Sequence, residues 1–403
     1  MAPRAGGQTY GFPIYCASWL PLAHTIKPSP SADDVVDADA SPALSSPSPP
    51  PMVALGGGGG EGRSGVPNAL VVAALDPAAA GAPPALSLEP VFRLGTEEQV
   101  PYRMAVHPRG DGLLCAFPDG CRLVRWESPE GEDPHSLVLR SDQEALVKLK
   151  DVGLQLAVSF SGEGSILATG GEDGHLRVFK WPGMETIIEN PDAKTSVKDL
   201  SFSSDEKFLV VNRSSGPSRV WDLKSSEAVA NLPREQGEIF GFCRFSTKSD
   251  NSQILFVTAM QVTIPCFLGD YGKIISWNTT SWTRIGSKKV TRDAISAFSV
   301  SPDGTLLAIG TIEGSISVLG SRDMRVVVTV KKAHLGIVTT LAFSQDSRAL
   351  LSTSFDSTAR VTSTESPKSD GISLWSMVLA IILAILAYYY MQHKEDLLAM
   401  LPQ

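Results

Sequence analysis

"ISAFSVSPDGTLLAIGTIEGSISVL", residues 295–319, holds three apolar runs separated by two turns. Val, Ile, Leu and Phe fill the runs, while Ser-Pro-Asp-Gly and Glu-Gly-Ser fill the turns. That is the composition of short antiparallel strands joined by tight connections. The same order recurs over residues 104–126, 156–181, 197–223, 239–259 and 338–361. Val106, Phe160, Phe202, Phe245, Val300 and Phe343 take matching places in the six copies, at intervals of 54, 42, 43, 55 and 43 residues. A unit repeated at this period cannot bury its apolar faces alone and must stack on its neighbours.

A period of about 40–45 residues with four strands per unit predicts a WD40-type β-propeller, and the two long intervals predict lengthened loops. Trp221-Asp222 is the intact W-D dipeptide, and Ala333-His334 stands where the repeat often has G-H. A seventh blade is expected at the N-terminus, with strands at 12–21, 52–56 and 68–76. Only three strands of the last copy fit before the chain turns apolar, so residues around Tyr10–Ile14 are expected to close the ring and leave no sheet edge open. The expectation is an all-β, seven-bladed propeller over residues 1–363. Residues 24–51, rich in Pro, Ser, Ala and Asp, are too poor in large apolar side chains to order themselves and read as a disordered insertion in blade one.

The chain of 403 residues has 35 Lys and Arg against 43 Asp and Glu, a net charge of −8. An acidic chain has no long-range attraction for phosphate backbones, so nucleic acid is not expected as a partner. Five cysteines without a C-x-x-C pair read as reduced, buried thiols in the cytosol, and the six scattered histidines suggest no metal site. No catalytic constellation is visible, so an enzyme of covalent chemistry is not expected. Residues 372–391, "ISLWSMVLAIILAILAYYYM", carry no charge. At 1.5 Å per residue they match a bilayer core of about 30 Å, with Trp375 and Tyr388–Tyr390 placed as an aromatic belt. They are expected to form a single transmembrane helix after a linker at 364–371, with a short lumenal tail at 392–403. The excess of Arg and Lys before the span places the propeller in the cytosol. The sequons at Asn212 and Asn278 are therefore expected to be unused.

Between two apolar runs lies "ALGGGGGEGRSGVPNALVV", residues 54–72. Gly57–Ser64 resembles a nucleotide-binding P-loop, but Arg63 replaces its lysine, Gly65 and Pro67 break the stretch where a helix should open, and "ALVVAAL" is a strand, not a helix. A glycine-rich bend near the propeller axis is a second reading. The third is a protruding loop over 56–68 that acts on a partner, with carbonyls able to ring a monovalent cation and Pro67 fixing the backbone before Asn68.

"GFPIY…W" at 11–19, the glycine stretch ending in Pro67-Asn68, the degenerate repeats and the apolar C-terminus together resemble one family. It comprises the endoplasmic-reticulum exchange factors that start COPII coat assembly, the prolactin regulatory element-binding protein family. The resemblance implies a cytosolic propeller on the endoplasmic-reticulum membrane that promotes GDP release from a Sar-type small GTPase and binds no nucleotide itself. It implies that Asn68 is central to exchange, with Pro67 setting its pose. Glu61, Arg63, Gly65 and Val66 would touch the GTPase, and the carbonyls of Gly57, Gly58, Gly59 and Gly60 would hold potassium. Asn68 is expected to offer its amide to backbone groups of a displaced switch segment. An exchange-inactive adaptor for exit of membrane cargo such as phosphate transporters is the alternative.

Overall fold

The computed structural model describes residues 7–21, 50–60, 62, 64–76, 84–127, 138–142, 144–191, 195–247, 252–262, 269–365, 379–389 and 391. The chain divides into two units, Met1–Thr364 and Glu365–Gln403.

The first unit is seven antiparallel sheets. Blade one runs through β2 (Ile14–Leu20), β3 (Met52–Gly57) and β4 (Ala69–Asp76), and its outer position is split between β5 (Ala85–Leu86) and β6 (Phe92–Gly95), both paired to β4. Blade two holds β7 (Arg103–Val106), β8 (Leu113–Phe117), β9 (Gly120–Glu127) and β10 (Val138–Asp142), and blade three β11 (Gln155–Phe160), β12 (Ile166–Gly171), β13 (Leu176–Lys180) and β14 (Glu185–Asn190). Blade four holds β15 (Val197–Phe202), β16 (Phe208–Arg213), β17 (Ser218–Asp222) and β18 (Glu227–Leu232), and blade five β19 (Glu238–Thr247), β20 (Gln253–Gln261), β21 (Tyr271–Asn278) and β22 (Arg284–Thr291). Blade six holds β23 (Ile295–Val300), β24 (Leu306–Thr311), β25 (Ile316–Gly320) and β26 (Val326–Val330), and blade seven β27 (Val338–Phe343), β28 (Ala349–Ser354) and β29 (Thr358–Ser363). Each inner strand packs on the next, and β27 meets β2, so the ring closes.

The closing strand is β1 (Gly7–Thr9), which pairs antiparallel with β29 through Gly7↔Arg360 and Thr9↔Thr358. It lies just upstream of the expected Tyr10–Ile14. The Tyr10 N–H bonds Ser357 O at 3.0 Å, and Gly11, at φ 77°, then turns the chain into blade one. Residues 22–49, which hold most of the expected insertion, and Cys266 lie outside the described residues.

The matching positions of the sequence sit at one structural place. Val106, Phe160, Phe202, Phe245, Val300 and Phe343 each face a leucine near the start of the next strand: Leu113, Leu167, Leu209, Leu255, Leu307 and Leu350. Second strands are buried almost throughout, as β8 and β16 show, because blades cover both their faces; outer strands such as β18 and β26 face water. The intervening turns close on themselves. In blade six Ser301 Oγ donates to Asp303, which accepts the Thr305 N–H at 3.1 Å, while Leu306 N–H donates to Ser301 Oγ at 2.9 Å. Ser203-Asp205 and Ser344-Asp346 repeat the device in blades four and seven.

A register shift recurs near the start of six inner strands, at Ile14/Cys16, Gln155/Ala157, Val197/Asp199, Phe240/Cys243, Ile295/Ala297 and Val338/Thr340. A bulge there sharpens the twist each blade needs to meet its neighbours around the axis. His334 anchors blade seven from the preceding connection: its ring nitrogens lie 2.6 Å from Thr358 Oγ1 and 2.8 Å from Ser352 Oγ, with Asp356 beside it at 3.7 Å. Cys16, Cys115, Cys121 and Cys243 are buried free thiols, and burial pushes Cys16 and Cys121 up to about 12. Asn212 is fully buried and bonded to Gly241 O, closed to a glycan.

In the second unit, residues 379–389 are helical and their side chains exposed. Among the described residues no helix is long and apolar enough to cross a membrane; residues 372–378 and 390 of the expected span lie outside them.

Candidate functional site

The glycine stretch connects β3 to β4 and emerges on the face that carries every second-to-third-strand connection. Its base is a close approach of three backbones. Gly57 pairs with both Ile14 and Ala69, and a Cβ on it would overlap Pro13 O and press on Ile14 Cα at 3.0 Å. The Gly58 N–H donates to Pro13 O at 3.0 Å. Gly58 has φ 151°, and a Cβ there would run into Asn68. Only glycine fits both demands.

Asn68 holds the loop shut. Its side chain is 4 % exposed. Oδ1 accepts the Gly60 N–H at 3.0 Å, and Nδ2 donates to Gly60 O at 3.3 Å and to Glu97 O at 3.1 Å. Its carbonyl accepts the Thr96 N–H at 3.0 Å. An amide has two donors and one accepting oxygen, and here each is used. Asn68 is expected to offer its amide to a partner's backbone; in the structure that amide is turned inward, onto the Gly60 backbone and Glu97 O. What faces solvent is the tip. Ser64, Gly65 and Pro67 are exposed, Val66 tucks against the blade-one core, and the Val66 N–H donates to Ser64 Oγ at 3.3 Å. Glu61 and Arg63 lie outside the described residues.

The sequence reading missed the surroundings of this loop. Thr96, which pins Asn68 from the connection after β6, also donates from Oγ1 to Gln99 O at 2.7 Å, and Gln99 reaches Asp119 at 2.8 Å. Beside them a cleft of about 190 Å³ is lined by Leu70, Leu94, Thr96, Glu97, Phe117 and Arg122. Toward the axis, Tyr15 sits on the β2 bulge and stacks edge-on against Tyr102 at 5.1 Å and Phe355 at 4.8 Å. Burial and the neighbouring Tyr102 raise the Tyr15 phenol, which stays neutral. Phe355 is 41 % exposed and continues into exposed Ile337 and Leu335 on the connection before β27. A phenylalanine in the polar turn "SFDS" was the one signal available in the sequence. Among the described residues no group of three or more His, Cys, Asp or Glu is placed to hold a metal ion.

Comparison with known proteins agrees with this architecture. The model of the anaphase-promoting complex subunit 4 WD40 domain matches residues 158–261, and that of the WD domain, G-beta repeat, matches 325–363. The chain is 45 % identical to SEC12-like protein 2 of Arabidopsis thaliana over 371 residues, covering 91 % of this chain and 90 % of that protein. It is 30 % identical to SEC12-like protein 1 of the same plant over 73 % of this chain and 72 % of the relative. To the guanine nucleotide-exchange factor SEC12 of Mus musculus it is 27 % identical over 53 % of this chain and 52 % of the relative. The shared length runs through the propeller, so the chain belongs to the SEC12-like family of WD40 propeller proteins.

Proposed function

We propose that this protein is a guanine-nucleotide exchange factor for a Sar-type small GTPase and that the 58–68 loop is the part that acts on the nucleotide site. The observation that carries the reading is a long glycine-rich loop held in one shape by Asn68, in a chain whose family includes exchange factors. A GTPase grips GDP through Mg²⁺ and a loop cradling the phosphates. A partner that binds the nucleotide-free form more tightly must, by linkage, weaken GDP. A loop already ordered loses less entropy on insertion than a floppy one. The exposed tip, with Gly65 and Pro67, displaces the switch segment, Asn68 acts as the positioning residue behind it, and Glu61 and Arg63 of the same stretch are proposed to add GTPase contacts. The apolar rim of Phe355, Ile337 and Leu335 on the same face supplies docking area.

Potassium is part of the proposal. Neutral oxygens suit a weakly held monovalent cation, and the glycines add no side chain of their own over their carbonyls; Gly60 O, which accepts from Asn68 Nδ2, would share its second lone pair. Gly57–Gly60 would hold it, and its charge would tighten the loop. The span at 372–391 is the proposed anchor in the endoplasmic-reticulum membrane, with the propeller in the cytosol and COPII budding as the process served. The inward-facing amide of Asn68 favours one second reading, an adaptor that binds membrane cargo or a GTPase without speeding release.

The test is GDP release from a purified Sar-type GTPase with full chain added, wild type against Asn68→Ala. The variant strips partners from Gly60 and Glu97, so acceleration should fall at least tenfold, with a loss of about 1–3 kcal/mol in stability that leaves the propeller folded. Potassium in place of sodium should raise the wild-type rate. Binding without acceleration by wild type would make the protein an adaptor. Equal acceleration by Asn68→Ala would remove the loop from the mechanism.

A further inference from the structure

The propeller axis carries a feature that exchange does not use. A channel of about 130 Å³ runs between the inner strands, and all seven blades contribute to its wall. Most of the wall is small or apolar, as at Ala17, Ala157 and Ala297, yet three cations and one carboxylate stand in it: Arg103, Lys198, Arg244 and Asp199. The carboxylate is spent. Asp199 accepts the Cys243 N–H at 2.8 Å and bonds the Arg244 guanidinium. Arg103 uses Nε on Leu156 O at 3.0 Å and Nη1 on Tyr102 O at 3.2 Å, both neutral acceptors that leave its charge uncompensated. Lys198 occupies the β15 bulge, is exposed, and has no hydrogen bond or ion pair with any described residue. In a chain of net charge −8, the axis is therefore locally positive.

We infer that the axial channel is a binding site for a small inorganic oxyanion, phosphate or sulfate, held by Lys198 and by the guanidinium edges of Arg103 and Arg244. A narrow passage lined by one sign of charge focuses the field and concentrates counter-ions. Guanidinium groups match tetrahedral oxyanions through paired N–H donors, and the lysine adds a mobile point charge. Size decides the class. The channel is well below the roughly 300 Å³ at which pockets begin to take drug-sized ligands, so a nucleotide or a sugar phosphate does not fit. The Lys198 end of β15 lies on the face that carries the 58–68 loop, so the ion enters from the side where a partner would dock. Bound there, it links blades two, four and five across the axis and stabilises the ring.

The experiment uses the full chain, purified in detergent, at constant pH and ionic strength, with chloride replaced stepwise by inorganic phosphate or by sulfate. The unfolding midpoint should rise and saturate, and the ³¹P line of phosphate should broaden in the presence of protein. Lys198→Ala should weaken the apparent affinity about tenfold, and Lys198→Arg should restore most of it. The exposed Lys198 tolerates both changes, and equal midpoints in chloride alone show that the variants fold. An unsaturated rise equal in wild type and Lys198→Ala would be the general effect of excluded anions and would overturn the site. Absence of ³¹P broadening in the wild type would overturn it equally. Neither readout involves nucleotide exchange, so this site stands or falls apart from the proposed function.

Discussion

Blade six crosses from its second to its third strand in four residues, and blade one takes eleven. The short turn, 312–315, is closed by its own ends: the Thr311 N–H bonds Ser315 O at 3.0 Å, and the Ser315 N–H bonds Thr311 Oγ1 at 3.2 Å. The 58–68 loop is closed across eight residues by one side chain, Asn68 on Gly60, and is tied to the blade by two tertiary contacts, Pro13 O and the connection after β6. Fixing a residue's backbone costs about 1–2 kcal/mol, and glycine loses the most. Blades three, four and six each make this connection in four residues. A long glycine-rich loop held in one shape is thus an expense that the propeller itself does not require, and that is why function is assigned to it.

If the two regions have separate jobs, changes in the scaffold should cost stability and changes around the loop should cost exchange. The largest expected loss of stability comes from blade five. There Glu238 is fully buried against Lys273 and, at 2.7 Å, Arg284. Glu238→Ala leaves the buried Lys273 without its carboxylate and should cost about 3–5 kcal/mol at pH 7, read by denaturant midpoint, with exchange per folded molecule unchanged. The pH dependence has the same origin. Burial would raise the Glu238 carboxyl, but hydrogen bonds from Arg284 and Lys273 hold it down to about 2. A lowered native pKa stabilises above the unfolded value, near 4.3, and that stability is lost as pH falls through the native value. The difference between wild type and variant should therefore shrink between about pH 4 and pH 2.

Gly58→Ala comes next. It puts a Cβ into Asn68 at a φ that suits glycine, so it should cost about 1–3 kcal/mol and most of the exchange activity. A variant that keeps full activity would break the link between loop shape and exchange. The smallest stability effect is expected at the apolar rim. Phe355→Ser should cost about 0.5–1.5 kcal/mol, since the ring is 41 % exposed and gives up its edge-on contact with Tyr15. It should nevertheless raise the concentration of protein needed for half-maximal exchange about fivefold while leaving the maximal rate intact.

The repeat was legible because six blades end the inner strand on the same apolar contact, such as Phe343 against Leu350, and three of them close the next turn with the same Ser and Asp. Local chemistry recurs, so sequence shows it. The closing strand was misplaced by a few residues because β1 pairs with β29 across nearly the whole chain, and no local pattern sets that register. The split of the outer strand of blade one was likewise hidden, since β5 and β6 hold only two and four residues. For the candidate site, the sequence marked the residues and missed a direction. Gly58 and Asn68 stood out by type. That the amide points inward depends on Glu97 and Thr96, about thirty residues later in the chain, which nothing near Asn68 announces.

The most direct test exchanges the two connections. Residues 58–68 are replaced by the four-residue turn 312–315 of blade six, and GDP release from a Sar-type GTPase is measured beside wild type. The account predicts a folded propeller, with a midpoint equal to or above wild type, that no longer accelerates release. Full acceleration by the short-turn chain would contradict it and place the exchange device elsewhere on the molecule.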